Sequence, residues 1–522
     1  MDRFIKKISL YLQFVLSAFC ILQIVTYFSI SNILGCAVSL FCFSLFRKYV
    51  LRMDVLEKRP IASLSMLPIM MFTYFAPIIT YLEGHELSYR MINPSLTFIL
   101  QCLYVCITYL AFVHSYKKKN TGGLRKVLNK YGYFKPAGDR VLWILGILGV
   151  LGRIYILLFQ TGTQSAAGTG TITMIFIPFL SAPYCILFNG LYGKEHSISK
   201  ITKIALLIYT LLLTALAVAS NTRNAIVMIF ISVILMAIVH VIVCKPKYIY
   251  KLQRITLKKV LYVIIGLYFV SGPMTDFAIA MVAVRYTKGD MPASEIFKET
   301  YDLATDKEKM KLLRKTAESV SSGNSDISIS DLQNEWSEDY IDNVFLNRVC
   351  NYQVADATLY HAMRLGFLNN EFLDFCGVKF KLLFPTPIIR FFFGNINKED
   401  YNYTYTDLLY AKSTRNQIKG AHIVGGDVGL GYETFSFLFP IFQFFIYCLI
   451  FKVMDQITII KNNRLTIPII TMVSLYGYFY TFMVGTGVYD RFLSFFWGVP
   501  IGFITKILVF NIVNKLFAQK IR

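Results

Sequence analysis

Apolar runs of about twenty residues recur along this chain, which is the length a helix needs to cross the hydrocarbon core of a bilayer. The pattern predicts spans near 8–30, 33–46, 61–81, 94–115, 141–159, 171–192, 204–219, 225–244 and 260–283. A polar stretch from Arg285 to about Thr434 interrupts the series, and three more spans follow near 435–451, 465–484 and 492–513. The expectation is an all-α, polytopic integral membrane protein of about twelve transmembrane helices. It divides into an N-terminal transmembrane bundle (1–284), one large extracytoplasmic loop domain (285–434) and a C-terminal set of transmembrane helices (435–522). The dipeptide Ser31-Asn32 reads as the turn between the first two spans. The first run is long enough to span and lacks a small-residue cleavage site, so no cleavable signal peptide is expected.

Composition agrees with that pattern. The 522 residues are 55% hydrophobic with a mean hydropathy of +0.53, too much apolar side chain for a soluble interior to hide. The formal charge of +22 changes meaning once it is sorted by connector. Alternate connectors and the two tails carry 31 Lys/Arg, whereas the short connectors of the other side carry only Arg90, Arg223 and Arg491. That asymmetry predicts cytoplasmic termini and an outward-facing long loop, and it accounts for the basic charge with no nucleic-acid partner. The long loop itself is slightly acidic, with 17 Lys/Arg against 21 Asp/Glu. Within it, Thr305 and Glu308 read as a capping box. Asn343 to Phe367 is amphipathic, and Phe375 to Phe393 reads as an interfacial or re-entrant piece. The ten cysteines form no CxxC and no Cys/His metal spacing. Cys350 and Cys376 are the two that lie in the long loop, where a disulfide is open to them.

Candidate chemistry falls into three groups. Arg153 and Asp276 are charged residues inside spans, which mark either a buried ion pair or a site for an anionic ligand. Arg223, in the turn Ser220-Asn221-Thr222-Arg223-Asn224, and Arg491, next to Asp490, offer guanidinium groups at the outer membrane boundary. A guanidinium beside a helix N-terminus suits a phosphate, while the alternative for Arg223 is snorkelling to lipid headgroups. Asp490 is the expected neutralising partner of Arg491. The segment Gly420 to Pro440 brings His422, Asp427 and Glu433 into one glycine-rich stretch, three candidates for a general base on a sugar hydroxyl. The plainer reading is a loop leading into a helix that Glu433 stabilises at its N-terminus. Arg348, Asp356, His361 and Arg364 fall in the amphipathic part of the loop and read first as surface charge.

Three features together resemble the Wzy-type polysaccharide polymerases, which join O-antigen or capsular repeat units. They are the topology with a late, large outer loop, the hairpin Ala-Ser-Asn-Thr-Arg223-Asn leading into an apolar helix, and Gly429-Leu-Gly-Tyr-Glu433 running into Phe-Ser-Phe-Leu-Phe. The Phe-Gly usual in that family after the acidic residue is replaced here by Phe437-Leu438. The resemblance implies a GT-C-like glycosyltransferase of the bacterial inner membrane, with its long loop in the periplasm. Its substrates would be undecaprenyl-diphosphate-linked oligosaccharides, held by Arg153, Asn221, Arg223, Arg348 and Arg491. It implies no cofactor and no metal, and partners of the chain-length regulator and flippase type besides membrane lipid. The alternatives are an O-antigen ligase with the same donor, a polysaccharide or lipid transporter (flippase), and a sensor or scaffold whose loop only binds.

Overall fold

Long apolar runs become helices because a helix alone satisfies every backbone polar group within one segment, as a bilayer interior demands. The computed structural model describes residues 2–117, 122–159, 175–194, 196–219, 223–244, 293–306, 308–310, 344–384, 386–415, 423–461, 464–480 and 487–517, with the single residues 280, 284, 333, 340 and 482. The chain opens with α1 (Asp2–Thr26) and α2 (Ile30–Tyr49), followed by the short α3 (Met53–Lys58) and α4 (Pro60–Ser65), then α5 (Leu67–Leu82) and α6 (Pro94–Lys117). An amphipathic α7 (Gly123–Lys130) precedes α8 (Asp139–Phe159), the 3-10 helix α9 (Ile177–Tyr192), α10 (Lys200–Ala219) and α11 (Arg223–Cys244). The polar stretch supplies α12 (Ala293–Thr305), α13 (Val344–Cys350), α14 (Tyr352–Leu365), α15 (Asn370–Leu382), α16 (Thr386–Phe393) and α17 (Tyr405–Thr414). After it come α18 (Asp427–Phe435), α19 (Phe439–Gln456), a two-stranded hairpin (Ile459–Lys461 with Arg464–Thr466), α20 (Ile469–Met472), α21 (Leu475–Tyr480), α22 (Val488–Leu493) and α23 (Val499–Phe517).

The chain is therefore a multi-pass helical membrane protein. Among the described residues, seven helical stretches are long and apolar enough to cross a bilayer, and Ile177–Tyr192 and Met228–Cys244 are shorter apolar helices. Apart from Ala280, the span expected near 260–283 lies outside the described residues. The one expected at 465–484 is divided into a strand and two short helices. Outward faces are greasy: Phe14 on α1 is 72% exposed and Ile201 on α10 is 80% exposed, as lipid-facing positions would be.

Several local expectations need correcting. The turn between the first two spans is not at Ser31-Asn32. Ser29 is the N-cap of α2 and accepts from the Asn32 amide, because its hydroxyl can satisfy an otherwise orphan N–H there. Thr305 does not cap a helix either. Its hydroxyl donates back to the Tyr301 carbonyl, and Asp306 takes the amides of Glu308 and Lys309. Cys350 and Cys376 are both buried free thiols, so no disulfide joins them. Asp356 and His361 are not surface charges: both are 1% exposed.

Two clamps hold opposite ends of α6. At its first turn, the Asp356 carboxylate on α14 accepts the amides of Ile92 and Asn93 and the Thr97 hydroxyl at 2.7 Å. Negative charge is favoured at a helix N-terminus, so the polar layer is stapled to the bundle there. At its last turn, Arg59 donates to the Phe112 carbonyl (2.8 Å) and the Ser115 hydroxyl (2.8 Å) and pairs with Asp455 of α19 at 2.8 Å. Arg125, from α7, adds a bond to the Asp455 carbonyl at 2.7 Å. The two clamps are about 30 Å apart along the helix axis, one hydrocarbon thickness.

The apolar stretch Asp427–Gln456 is not one straight helix. Ser436 adopts φ 50°, ψ −137° and breaks it. Asp427 and Tyr447 both bond the same guanidinium, that of Arg491, although a continuous helix would place them about 30 Å apart. Consequently α18 doubles back against α19 as a re-entrant helix. It is held on its other side by α14, where backbones approach closely. A Cβ on Gly426 would lie 2.6 Å from Ala355 Cα, and one on Gly429 would lie 2.6 Å from the Leu359 nitrogen. We predict that Gly429→Ala, which must push those backbones apart, destabilises the protein by about 1–3 kcal/mol. Thermal unfolding in detergent measures it, and an unchanged melting temperature would show that the contact is looser than described.

Candidate functional site

The site is built around α18, because this short helix carries two carboxylates to places no surface loop would reach. Asp427 stands at its first position, 5% exposed, opposite Arg491 of α22, 3% exposed. Arg491 Nη2 donates to Asp427 Oδ2 at 2.7 Å, and Nη1 donates to the hydroxyls of Tyr104 (α6) and Tyr447 (α19). Tyr104 gives its one proton to Asp427 Oδ2 at 3.0 Å, which leaves Tyr447 as the donor in the 2.7 Å contact between the two phenols. The Gly487 amide closes the ring on Asp427 Oδ1 at 3.1 Å. Just below, Gln443 of α19 donates to the Tyr104 carbonyl (2.8 Å) and the Thr108 hydroxyl (2.9 Å). The whole assembly ties four segments together. Arg491 is thus neutralised by Asp427, sixty-four residues away in sequence, and not by its neighbour Asp490 as the chain order suggests.

Glu433 has a different environment. It is completely buried, and both carboxylate oxygens lack a hydrogen-bond partner among the described residues. The Asn369 amide bears on the group without reaching hydrogen-bond geometry. The cover over Glu433 is the loop layer: the Leu368 amide bonds the Glu433 backbone carbonyl at 3.1 Å, and Cys376 of α15 lies close by. Gly431 sits against the Phe439 ring, so close that a Cβ there would come within 2.2 Å. A buried polar group without a partner is costly and calls for a functional account.

The loop layer above has an aromatic floor. Phe375 and Tyr403 stack at 4.8 Å, and Lys379 lies 5.0 Å from the Phe375 ring centre while donating to the carbonyls of Tyr401 (3.1 Å) and Tyr403 (2.8 Å). Burial pulls the Lys379 ammonium below its usual range, against Asp490 and Asp407, which favour its charge. His361 shares a 2.7 Å hydrogen bond with Ser413 and packs edge-on to Tyr410. Burial, followed by the Arg364 charge, lowers its pKa to about 4. Burial raises the Asp356 carboxyl, opposed by its three donors.

Of the residues singled out in sequence, Asp427, Glu433 and Arg491 are brought together around α18. Arg153 is half-buried on α8, in a different part of the bundle. Arg223 opens α11 and Arg348 lies in α13, but their side chains, with Asn221, His422 and Asp276, lie outside the described residues. Sequence reading passed over Tyr104, Tyr447, Arg59 and Asp455. The two tyrosines carried a faint signal, since a phenol deep in an apolar helix needs a partner for its hydroxyl. No known protein family, curated protein or solved structure matches this chain.

Two predictions follow from this geometry. Replacing Arg491 alone by Met leaves the Asp427 charge buried without its ion partner, and should cost about 3–5 kcal/mol in thermal unfolding. Adding Asp427→Leu should recover most of that loss, and equal damage from both variants would refute the pairing. His361 has a folded pKa of about 4, below its ordinary 6.5. The unfolded chain therefore takes up a proton first, and stability that is complete above pH 6.5 declines as pH falls towards 4. His361→Gln should flatten that part of the stability profile, and an unaltered slope would assign the titration elsewhere.

Proposed function

We propose that this protein is a membrane glycosyltransferase that polymerises lipid-diphosphate-linked oligosaccharide units, in the manner of the Wzy-type polymerases it resembles in sequence. The observation that carries the reading is Glu433, a buried carboxylate with no hydrogen-bond partner among the described residues, held on a re-entrant helix beneath a polar loop layer. In this reaction the hydroxyl oxygen of one repeat unit attacks the anomeric carbon of another. The bond from that carbon to the diphosphate oxygen breaks, the diphosphate leaves with the electron pair, and Glu433 takes the hydroxyl proton as general base. Because residues 368–376 cover Glu433, the acceptor reaches it only when that part of the loop layer opens.

Asp427 and Arg491 take a positioning role in this account. Their charges are spent on one another and on two phenols, so neither is offered as base or as diphosphate ligand. Charge on the leaving diphosphate falls instead to Arg223 and Arg348, with guanidinium forks suited to phosphate oxygens. The transporter reading is disfavoured by the same network. Its buried polar groups are bonded across helices and act as packing, where a transport path needs polar groups facing a cavity.

The test is a gel of surface polysaccharide from cells lacking the gene and supplied with wild type or Glu433→Gln at equal membrane levels. Wild type should restore a ladder, and the variant should leave core plus a single unit while its purified form melts no lower than wild type. A ladder with the variant would overturn the role of Glu433. Loss of every unit without the gene, with lipid-linked polymer accumulating, would identify a ligase instead.

A further inference from the structure

The end of the bundle away from the loop layer carries a feature that the glycosyl-transfer reading does not use. A groove of about 790 Å³ lies between the ends of α1 and α2, lined by Lys6, Arg47, Lys48 and Arg52. Asp54 is the one carboxylate among the groove's lining residues, and it is already paired with Arg52 at 2.9 Å. The groove therefore presents a net excess of three positive charges to whatever enters it. It is not a bare charged surface, because Ile5, Leu10, Leu51 and Met53 also line it. In the same wall, Gln13 Oε1 is buried with no hydrogen-bond partner among the described residues.

A second groove, of about 580 Å³, runs between α2 and α6 and shares Arg52 and Asp54 with the first. Its walls are otherwise mostly apolar, including Leu45, Leu110 and Val113. The side-chain pair Arg52–Asp54 thus forms a rim between a cationic hollow and an apolar channel along the helices. That combination has the polarity of one molecule, an anionic head joined to a hydrocarbon chain. We propose that the α1–α2 groove binds the headgroup of an anionic phospholipid of the phosphatidylglycerol type, with an acyl chain lying in the α2–α6 groove. The phosphate would meet Arg47, Lys48 and Arg52, and a headgroup hydroxyl would donate to Gln13 Oε1. This inference stands independently of the reaction proposed for Glu433.

The competing account is that these cations are ordinary connector charges that only fix orientation. The experiment separates the two with the purified full-length chain in vesicles of phosphatidylcholine, alone or mixed with phosphatidylglycerol. Spin-labelled phosphatidylglycerol and spin-labelled phosphatidylcholine are compared for the fraction immobilised by the protein. Wild type should prefer the anionic lipid, and Arg47→Gln with Arg52→Gln should lower that preference by about fivefold for each cation removed. Lys6→Gln with Lys48→Gln changes only exposed side chains and should lower it too, which guards against a packing defect in the first pair. Lys126→Gln with Lys130→Gln, on exposed positions of α7 at the same end of the bundle, should leave it unchanged. The proposal is overturned if wild type shows no preference, if the α7 pair lowers it as much as the groove pairs, or if neither groove pair changes it.

Discussion

The guanidinium of Arg491 is the point on which the described architecture turns. A charge in a low-dielectric interior persists only when its partners are well placed, and here they come from α6, α18, α19 and α22. No two of these elements need pack in this way for apolar reasons alone. Lipid is as greasy as a leucine face, so polar bonds and close backbone approach are what discriminate among helix arrangements in a membrane. Asp427 is the partner that matters most for the fold. It anchors the first turn of α18 at depth, and the break at Ser436 then becomes a reversal and not a mere kink.

The rest of the frame extends the same logic to the two ends of α6. Asp356 joins the loop layer to the N-terminus of that helix, and Arg59 with Asp455 joins α4, α6 and α19 at the far end. Each clamp pairs a charge with backbone and hydroxyl groups close to one end of α6. Glu433 is the one carboxylate among the described residues that is buried with neither oxygen hydrogen-bonded. It rides on the re-entrant helix, which the glycines of α18 allow to sit against α14. The proposed reaction assigns the role of base to this carboxylate because, among the described residues, no other group claims its oxygens. The far end of the bundle is different in kind, because its surplus cations line an accessible hollow and suit a lipid more than a reaction.

Much of the fold was legible from the chain. Runs such as Pro94–Lys117 and Lys200–Ala219 are helices where the apolar pattern puts them, since length and hydropathy are local properties that the bilayer reads directly. The Gly420 to Pro440 segment also stands out in the sequence, through its spacing of glycines and acids. Its conformation was not legible. As a string it looks like a loop running into a membrane helix, and only the contact of Asp427 with Arg491 shows that its helical part turns back.

What the sequence determined by itself is the solvent this protein lives in: a multi-pass helical chain with one long polar insertion and its basic residues sorted by connector. Those features depend on composition within a window of residues, and they survive any arrangement of the helices. The tertiary structure decided which charges are spent and which are left over. Arg491 could have met Asp490 one position away or Asp427 sixty-four positions away, and Asp356 could have faced water. Pairing energies depend on distance in space and on local dielectric, and neither is a function of position along the chain.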